Sequence, residues 1–232
     1  MAISAGGDEH RSFIHGEGEK NTQWRFGAPP DHDLVNKLFE EGRTQWPVGS
    51  LEEKVQRTVK SLEMELQHKT RPEDFKSVNR EKFRFSVNGD SLYQPHAAAE
   101  VGRRGISLQE LREMGGAYNA FLQTNLPKEL RIYDSEAETM DSSHEAFTTT
   151  FPRGFALEIL QVYSGPPTIA FKFRHWSYMD GPFQGHPPTG QLVDDEMKIE
   201  KVEFFYDRGD FIASFLKGAP AASGSRCPVM KI

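Results

Sequence analysis

The stretch FALEILQVYSGPPTIAFKFRHWSYM, residues 155–179, decides the fold class because it carries the strongest β signal in the chain. Two runs rich in aromatic and β-branched residues, 155–164 and 168–179, flank the turn sequence Gly-Pro-Pro. Such runs on either side of a short turn are typical of a β-hairpin or a meander. The sequence therefore predicts antiparallel strands in the C-terminal part of the chain.

The second of these runs places a histidine beside aromatic residues. Because successive side chains of a strand alternate between its two faces, Phe171, Phe173 and His175 share one face. Two interpretations of His175 stay open. It is either a core histidine that holds one backbone carbonyl, or an imidazole that faces a pocket and acts as an acid or base near neutral pH.

Helices are predicted to precede these strands. The segments 29–43 and 50–69 carry apolar stripes at helical spacing, and a Ser-x-x-Glu capping pattern opens the second segment. A third helix is predicted over 107–127, where the Gly115–Gly116 pair weakens its middle. Helices followed by antiparallel strands indicate an α+β fold, with helices on one face of a curved sheet and a ligand site at the mouth of the resulting cone.

The segments between and after these elements give shorter predictions. Residues 82–89 alternate as in an edge strand, and a polar loop is predicted over about 89–106. Residues 141–154 are predicted as a polar turn that continues into a Thr-rich extended piece. Residues 197–207 are predicted as the final strand, with a bulge where the periodicity shifts between Ile199 and Val202.

Length and composition indicate one domain and exclude several classes of protein. The 232 residues suit a single domain over 24–218, with flexible tails at 1–23 and 219–232. The net charge is −6 and there is no basic block, so nucleic acid is not an expected partner. One cysteine allows no intrachain disulfide, and no secretion signal or membrane span is recognisable; a cytoplasmic location is therefore expected.

Several blocks of the chain closely resemble the pathogen-related protein family of plants, which is also found in fungi. These blocks are WRFGAPPDHDLVNKLFEEGRTQWPVGSLEEKVQ, GGAYNAFLQTNLP, DSSHEAFTTTFPRGFALEILQVYSGPP, FKFRHWSYMDGPFQGHPPTG and KVEFFYDRG. The second half also resembles the SnoaL-like polyketide-cyclase group of the nuclear-transport-factor-2-like (NTF2-like) superfamily. The matching pattern is Pro-Pro-Thr-Gly at 187–190, followed by a strand that ends in an aromatic residue and Asp.

The resemblance implies a fold and a range of activities. The fold is a cone of curved sheet with packed helices, and a homodimer through the sheet is common in the superfamily. Some members catalyse cyclisation, dehydration or isomerisation without a cofactor, and others only bind a ligand or a protein. One departure is that members of the group usually carry another strand before the last one. Here Val193 leads almost directly into 197–207, which we interpret as a deletion.

The resemblance also implies candidate site residues. An acid on a late strand serves as the base in SnoaL-like cyclases, which makes Asp207 the partner of His175; the alternative for Asp207 is an Asp-Arg-Gly turn. For His144 the alternatives are the cavity entrance and local capping. The expected substrate contacts are Tyr118, His144, Phe171, Phe173, Trp176 and Tyr206.

Two functions are compatible with this pattern. The first is a cofactor-independent cyclase, isomerase or dehydratase that acts on a polyketide or terpenoid-type substrate through His175 and Asp207. The second is a protein that binds an apolar, oxygenated small molecule, or a protein partner, without catalysis. No His-x-His, HExxH or cysteine-pair motif is present, so neither a metal nor a cofactor is expected.

Overall fold

The computed structural model describes residues 8–87, 105–124, 126–190, 192–199 and 203–205. Within these ranges the helices are α1 (Asp33–Gly42), α2 (Leu51–His68), α3 (Leu108–Glu113), α4 (Gly116–Leu122) and α5 (Met140–Thr150). Short 3-10 turns are at Glu17–Glu19, Pro72–Asp74 and Lys128–Leu130. The strands are β1 (Ser86–Val87), β2 (Ala156–Ser164), β3 (Ala170–Tyr178), β4 (Leu192–Ile199) and β5 (Glu203–Phe205). Helices pack against a largely antiparallel sheet, which confirms the predicted α+β class.

The five strands form one sheet in the order β1-β5-β4-β3-β2. The predicted hairpin is present: β2 and β3 pair antiparallel, with Leu157 opposite His175 and Ile159 opposite Phe173. β4 continues the antiparallel arrangement, and only the short β1 runs parallel to its neighbour β5. The register of β2 shifts twice after Ile159, and such irregularities increase the local twist and bend of a strand.

The prediction of one final strand over 197–207 is wrong. The chain reverses after β4, so that Lys198 pairs with Phe205 and Ile199 with Phe204 in an antiparallel register. The shift in periodicity that suggested a bulge therefore marks a reversal of direction. Because β4 begins at Leu192 and lies between β3 and β5, the short connection near Val193 does not remove a central strand.

Residues 141–154 also differ from the prediction, because most of them belong to helix α5. Thr139 and Ser142 form a reciprocal capping box at its start. The threonine hydroxyls of the last turn donate to carbonyls one turn earlier, as Thr148 Oγ1 does to the His144 oxygen at 2.9 Å. Phe147 is 1% exposed. Burial and these bonds outweigh the weak intrinsic helix preference of consecutive threonines.

The predicted weak point of the third helix is a complete break. Gly115 and Gly116 have φ values of +86° and +89°, which L side chains rarely adopt, and they separate α3 from α4. Ser107 and Glu110 form the full capping box at the start of α3. Local chemistry therefore sets both the beginning and the interruption of this helical segment.

The helices cover both faces of the β2–β3 hairpin, so the prediction that they lie on one face of the sheet is wrong. α2 packs through Val55 on the face that carries Leu157, Ile159, Phe171 and Phe173. α1 packs on the other face, where its Val35, Leu38 and Phe39 contact Ala156 and Trp176 of the same two strands. None of the helices in the described ranges combines the length and the apolarity that a membrane crossing requires.

The prediction of a loose tail over 1–23 does not hold for its described part, residues 8–23. Ile14 is 2% exposed and Arg11 is 5% exposed. The Ser12 amide donates to Ser61 Oγ at 2.7 Å, and the Arg57 guanidinium donates to the Glu9 carbonyl at 2.6 Å, which fastens the segment to α2. Most of the loop predicted at 89–106, and the tail predicted at 219–232, lie outside the described residues.

Candidate functional site: a histidine-lined cleft

A cleft of about 390 Å³ opens among α1, α2, α5 and the segment that leads into β2. One wall is aromatic: Tyr118 stacks on Phe147 at a ring separation of 4.0 Å, and Phe151 packs against Phe155 at 4.5 Å. The volume falls within the range of about 300–1,000 Å³ that small-molecule sites occupy, and an apolar lining with a few polar groups is their usual composition.

Three histidines from different elements meet along this cleft. His32 precedes α1, His68 ends α2 and His144 lies in the first half of α5. The His32 and His68 rings are 5.6 Å apart and the His68 and His144 rings 5.7 Å apart, both edge to face. His144 Nδ1 lies 3.2 Å from Gln67 Oε1. The cleft therefore contains several imidazole groups in mutual contact.

The surroundings keep these imidazoles neutral near pH 7. Burial, together with the charges of its two histidine neighbours and Arg25, lowers the pKa of His68 to about 3. Burial and Arg25 also lower the pKa of His144, although Asp141 acts in the opposite direction. The pKa of His32 is lowered by burial, against the effect of its hydrogen bond to Asp8. Neutral imidazoles each offer one donor and one acceptor, so they suit hydrogen bonding to a ligand.

A carboxylate on the cleft wall is held by the predicted catalytic histidine. Glu63 lines the cleft, and its Oε1 lies 3.1 Å from His175 Nε2. The His175 ring stacks on Phe155 at 4.7 Å. Burial alone would raise the pKa of Glu63, but the hydrogen bond from His175 and the charges of Arg11 and Lys60 outweigh it and lower that pKa. Glu63 is therefore an ionised acceptor at neutral pH and a weak base.

A buried arginine fixes one end of the cleft. Arg11 Nη1 donates to Asp8 Oδ2 at 3.1 Å and to Asn36 Oδ1 at 2.6 Å. Arg11 lines the cleft, and these bonds tie the N-terminal segment to α1. The cleft lining therefore contains a fixed positive charge, the Arg11 guanidinium, as well as the negative charge of Glu63.

Exposed apolar side chains lie beside the cleft. Leu34, which belongs to the apolar stripe of the segment 29–43, lines the cleft and is 61% exposed. Phe26 is 63% exposed, and its ring lies 5.1 Å from that of His144. Large apolar groups left in water beside a concave site favour an apolar or amphipathic ligand.

The structure separates the residues that the sequence proposed for the site. Tyr118 and His144 line the cleft, and burial, with Glu63 and Tyr133, raises the pKa of Tyr118, so its hydroxyl stays protonated. His175 contacts the cleft wall from behind, through Glu63 and Phe155, without lining the cleft itself.

The other proposed contacts lie elsewhere. Phe171 and Phe173 fill the core under α2, because Val55 and Ile159 occupy the space next to them. Trp176 faces α1, with the Arg174 guanidinium 4.2 Å above its ring. Tyr206 and Asp207 lie outside the described residues.

Sequence reasoning missed several residues of the cleft. Neither His68 nor Glu63 is among the residues that the sequence predicts for the site. One signal was available: Glu63, Met64, Gln67 and His68 follow i, i+1, i+4, i+5 spacing and so share one side of α2. This spacing places the four residues together, but it does not distinguish a cavity wall from the solvated side of an amphipathic helix.

Because its cleft histidines are neutral, the folded chain is expected to lose stability in mild acid. In the unfolded chain His68 and His144 bind protons at their ordinary pKa of 6.5, whereas in the folded chain both pKa values are lower. Below pH 6.5 the unfolded chain therefore binds more protons than the folded chain, and the free energy of unfolding decreases as the pH falls from 6.5 toward the pKa values of the folded chain. We expect the free energy of unfolding from urea titrations to fall by on the order of 2 kcal/mol between pH 7.5 and pH 5.

The control for this effect is a pair of substitutions. A His68→Asn variant is expected to lose less stability over the same pH interval than the native chain. A His15→Asn variant, altered at an exposed position, is expected to follow the native chain. Equal pH dependence in all three proteins would contradict the assignment.

The fold and the cleft together define an α+β protein with an aromatic, histidine-lined cleft. The chain is 55% identical over 244 aligned residues to a protein of Hordeum vulgare named "Pathogen-related protein", and the alignment covers 99% of this chain and 98% of that relative. No family model matches the sequence. At this identity and coverage the chain belongs to the pathogen-related protein family.

Proposed function

We propose that this chain is a small-molecule-binding protein with an NTF2-like, SnoaL-like fold, and that its ligand occupies the cleft. The observation that carries the proposal is the cleft of about 390 Å³, with stacked aromatic rings on one wall and neutral imidazoles along it. A flat apolar molecule with hydroxyl or carbonyl groups matches this lining, since aromatic walls cover its rings and imidazoles bond its oxygens. Polyketides and terpenoids with such groups are the expected class.

The protonation states favour binding over catalysis. Proton abstraction next to a carbonyl needs a carboxylate or imidazole with a pKa close to the working pH, and enzymes often raise the pKa of such a carboxyl. In this cleft the pKa of Glu63 is lowered and that of His68 is lowered to about 3, so both are weak bases. The polar groups that line the cleft therefore suit recognition of a ligand better than transfer of a proton.

Catalysis is a second candidate because of one contact. The pair formed by Glu63 and His175 joins a cleft-lining carboxylate to an imidazole at 3.1 Å, and a ligand that displaces water from Glu63 would raise the pKa of that carboxyl. Under this proposal the protein would isomerise, dehydrate or cyclise its ligand without a cofactor. Glu63 would transfer the proton, and His175 would hold the Glu63 carboxylate in position.

Native mass spectrometry of the full chain purified from the tissue that produces it tests both candidates. We expect a noncovalent adduct that is released on denaturation. Recovery of the compound unchanged after incubation with fresh protein supports a binding protein, whereas conversion that disappears in a Glu63→Gln variant supports the enzyme. A chain that carries no adduct and takes up no compound from a lipophilic extract of the same tissue contradicts both.

A further inference from the structure

A cluster of one histidine and two carboxylates lies outside the cleft, at the contact between the N-terminal segment and α1. His10 Nε2 is 2.6 Å from Glu40 Oε1 and 3.3 Å from Glu9 Oε1. Among the described residues this is the one group in which three such donor atoms all lie within 4.8 Å of one another. The three cleft histidines do not meet this condition, so their contact is one of rings and not of converging nitrogens.

Packing and hydrogen bonds fix the position of the imidazole. The His10 side chain is 12% exposed, and its ring lies edge-on to Phe39 at 5.0 Å. The His10 amide donates to Asp8 Oδ1 at 2.8 Å, which sets the turn that carries the ring. His10 Nε2 is enclosed and makes no well-directed hydrogen bond, although both carboxylates lie close to it.

The carboxylates are also held in a way that leaves one oxygen free to face the imidazole. Arg43 Nε donates to Glu40 Oε2 at 2.9 Å, so Oε1 is the oxygen presented to His10. The Arg57 guanidinium donates to the Glu9 carbonyl at 2.6 Å and places that residue beside the ring. Both side chains reach the solvent, which gives an ion a path of entry.

We propose that Glu9, His10 and Glu40 form a binding site for a divalent metal ion of the zinc type, which clamps the N-terminal segment onto α1. One imidazole nitrogen and two carboxylate oxygens are a donor set that Zn²⁺ accepts, with water at the fourth position. Bonds of about 2.0–2.2 Å around a tetrahedral ion place donor atoms roughly 3.4 Å apart. The separation between His10 and Glu9 already matches this spacing, and that between His10 and Glu40 requires the exposed Glu40 side chain to withdraw by less than 1 Å.

The charges that face the site set its strength. Two carboxylates supply two negative charges, while Arg43 on Glu40 and the buried Lys60, whose ammonium lies 3.2 Å above the Phe39 ring, oppose a cation. These two cations are therefore expected to weaken zinc binding through repulsion, although Arg43 leaves Glu40 Oε1 available to the ion. No local sequence motif marks this site, because a loop and most of α1 separate Glu40 from Glu9 and His10 along the chain.

The test uses the untagged full chain and zinc chloride. We expect isothermal titration calorimetry to show one equivalent of Zn²⁺ bound, and thermal unfolding to shift upward with added zinc, since an ion that binds only the folded chain stabilises it. Both His10→Ala and Glu40→Gln are expected to weaken binding at least tenfold and to abolish the thermal shift. The exposed His15→Ala change, in the same segment, is expected to leave both unchanged.

Three results would overturn the proposal. The first is no zinc bound at one equivalent by the native chain, and the second is unaltered binding in the His10→Ala variant. The third is loss of binding in a His68→Asn variant with His10 intact, which would place the ion in the cleft. Glu40→Gln alters an exposed side chain, so its thermal transition in the absence of zinc verifies that the variant is folded.

Discussion

Replacing Lys69 with methionine is expected to lower the free energy of unfolding by about 3–5 kcal/mol. The Lys69 ammonium is 0% exposed and lies 2.9 Å from Glu65 and 3.1 Å from Glu19, whose side chains are 0% and 4% exposed. It also donates to the Asp74 carbonyl at 3.0 Å. Methionine would fill the space but leave the buried Glu65 carboxylate without its cation and Glu19 with Lys76 alone. Removing one partner of a buried ion pair is the costly way to break it.

Urea unfolding at pH 7.5 measures this effect, and a matched change separates the loss of the buried ion pairs from the general effect of replacing a lysine with methionine. Lys54→Met alters an exposed lysine of α2, the helix that Lys69 follows, and is expected to change stability by less than about 0.5 kcal/mol. A Glu65→Gln/Lys69→Met double variant is expected to recover part of the loss. Equal stability of Lys69→Met and the native chain would show that the cluster does not hold the N-terminal segment to α2.

Replacing Gly181 with alanine is expected to destabilise the chain by about 3 kcal/mol. A methyl group at this position would overlap the Thr149 carbonyl oxygen and lie 2.9 Å from the Thr149 carbonyl carbon. The Gly181 amide donates to the Thr150 carbonyl at 2.9 Å, so the segment cannot move away without losing that bond. Because the obstacle is backbone, the clash displaces the end of α5, which carries part of the cleft.

The matched control is Gly165→Ala, whose new methyl group would meet Leu51 at 3.4 Å, an ordinary contact distance. Thermal unfolding of both variants is expected to show a large decrease for the first and a change of less than about 1 kcal/mol for the second. A Gly181→Ala chain as stable as the native one would contradict the close packing of this segment on α5.

The sequence predicts those features of the fold that depend on neighbouring residues. The β2–β3 hairpin follows from alternation around Gly-Pro-Pro, and the break between α3 and α4 follows from two glycines in succession. The capping box at Ser107 was recognisable because its two partners are three residues apart. Each of these signals lies within one element.

Features that depend on distant contacts were not predictable in the same way. α5 was missed because its threonines favour extended structure until Phe147 is buried. The reversal after β4 was missed because a shift in periodicity fits a bulge as well as a turn. The N-terminal segment reads as disordered from its sequence, since Ile14 is the only buried apolar side chain among its described residues, and its other attachments include polar bonds to α1 and α2.

The arrangement of the candidate site was also not predictable from the sequence, because its residues come together through distant contacts. His32, His68 and His144 come from three separate elements, and nothing in the local sequence around each one indicates that the rings meet. His175 was recognisable as a histidine on an aromatic face, but its partner Glu63 comes from another helix. Strand alternation places a side chain on a face, whereas the tertiary packing decides whether that face borders a cavity or a filled core.

The central claim is that a ligand occupies the cleft, and two adjacent threonines of α5 test it most directly. Thr148 lines the cleft and Thr149 does not, while both are exposed and both hydroxyls donate to carbonyls one turn earlier. Native mass spectrometry of the full chain is predicted to show the small-molecule adduct on the native protein and on Thr149→Trp, and to show it lost from Thr148→Trp. An adduct that persists unchanged on a folded Thr148→Trp chain would contradict the account.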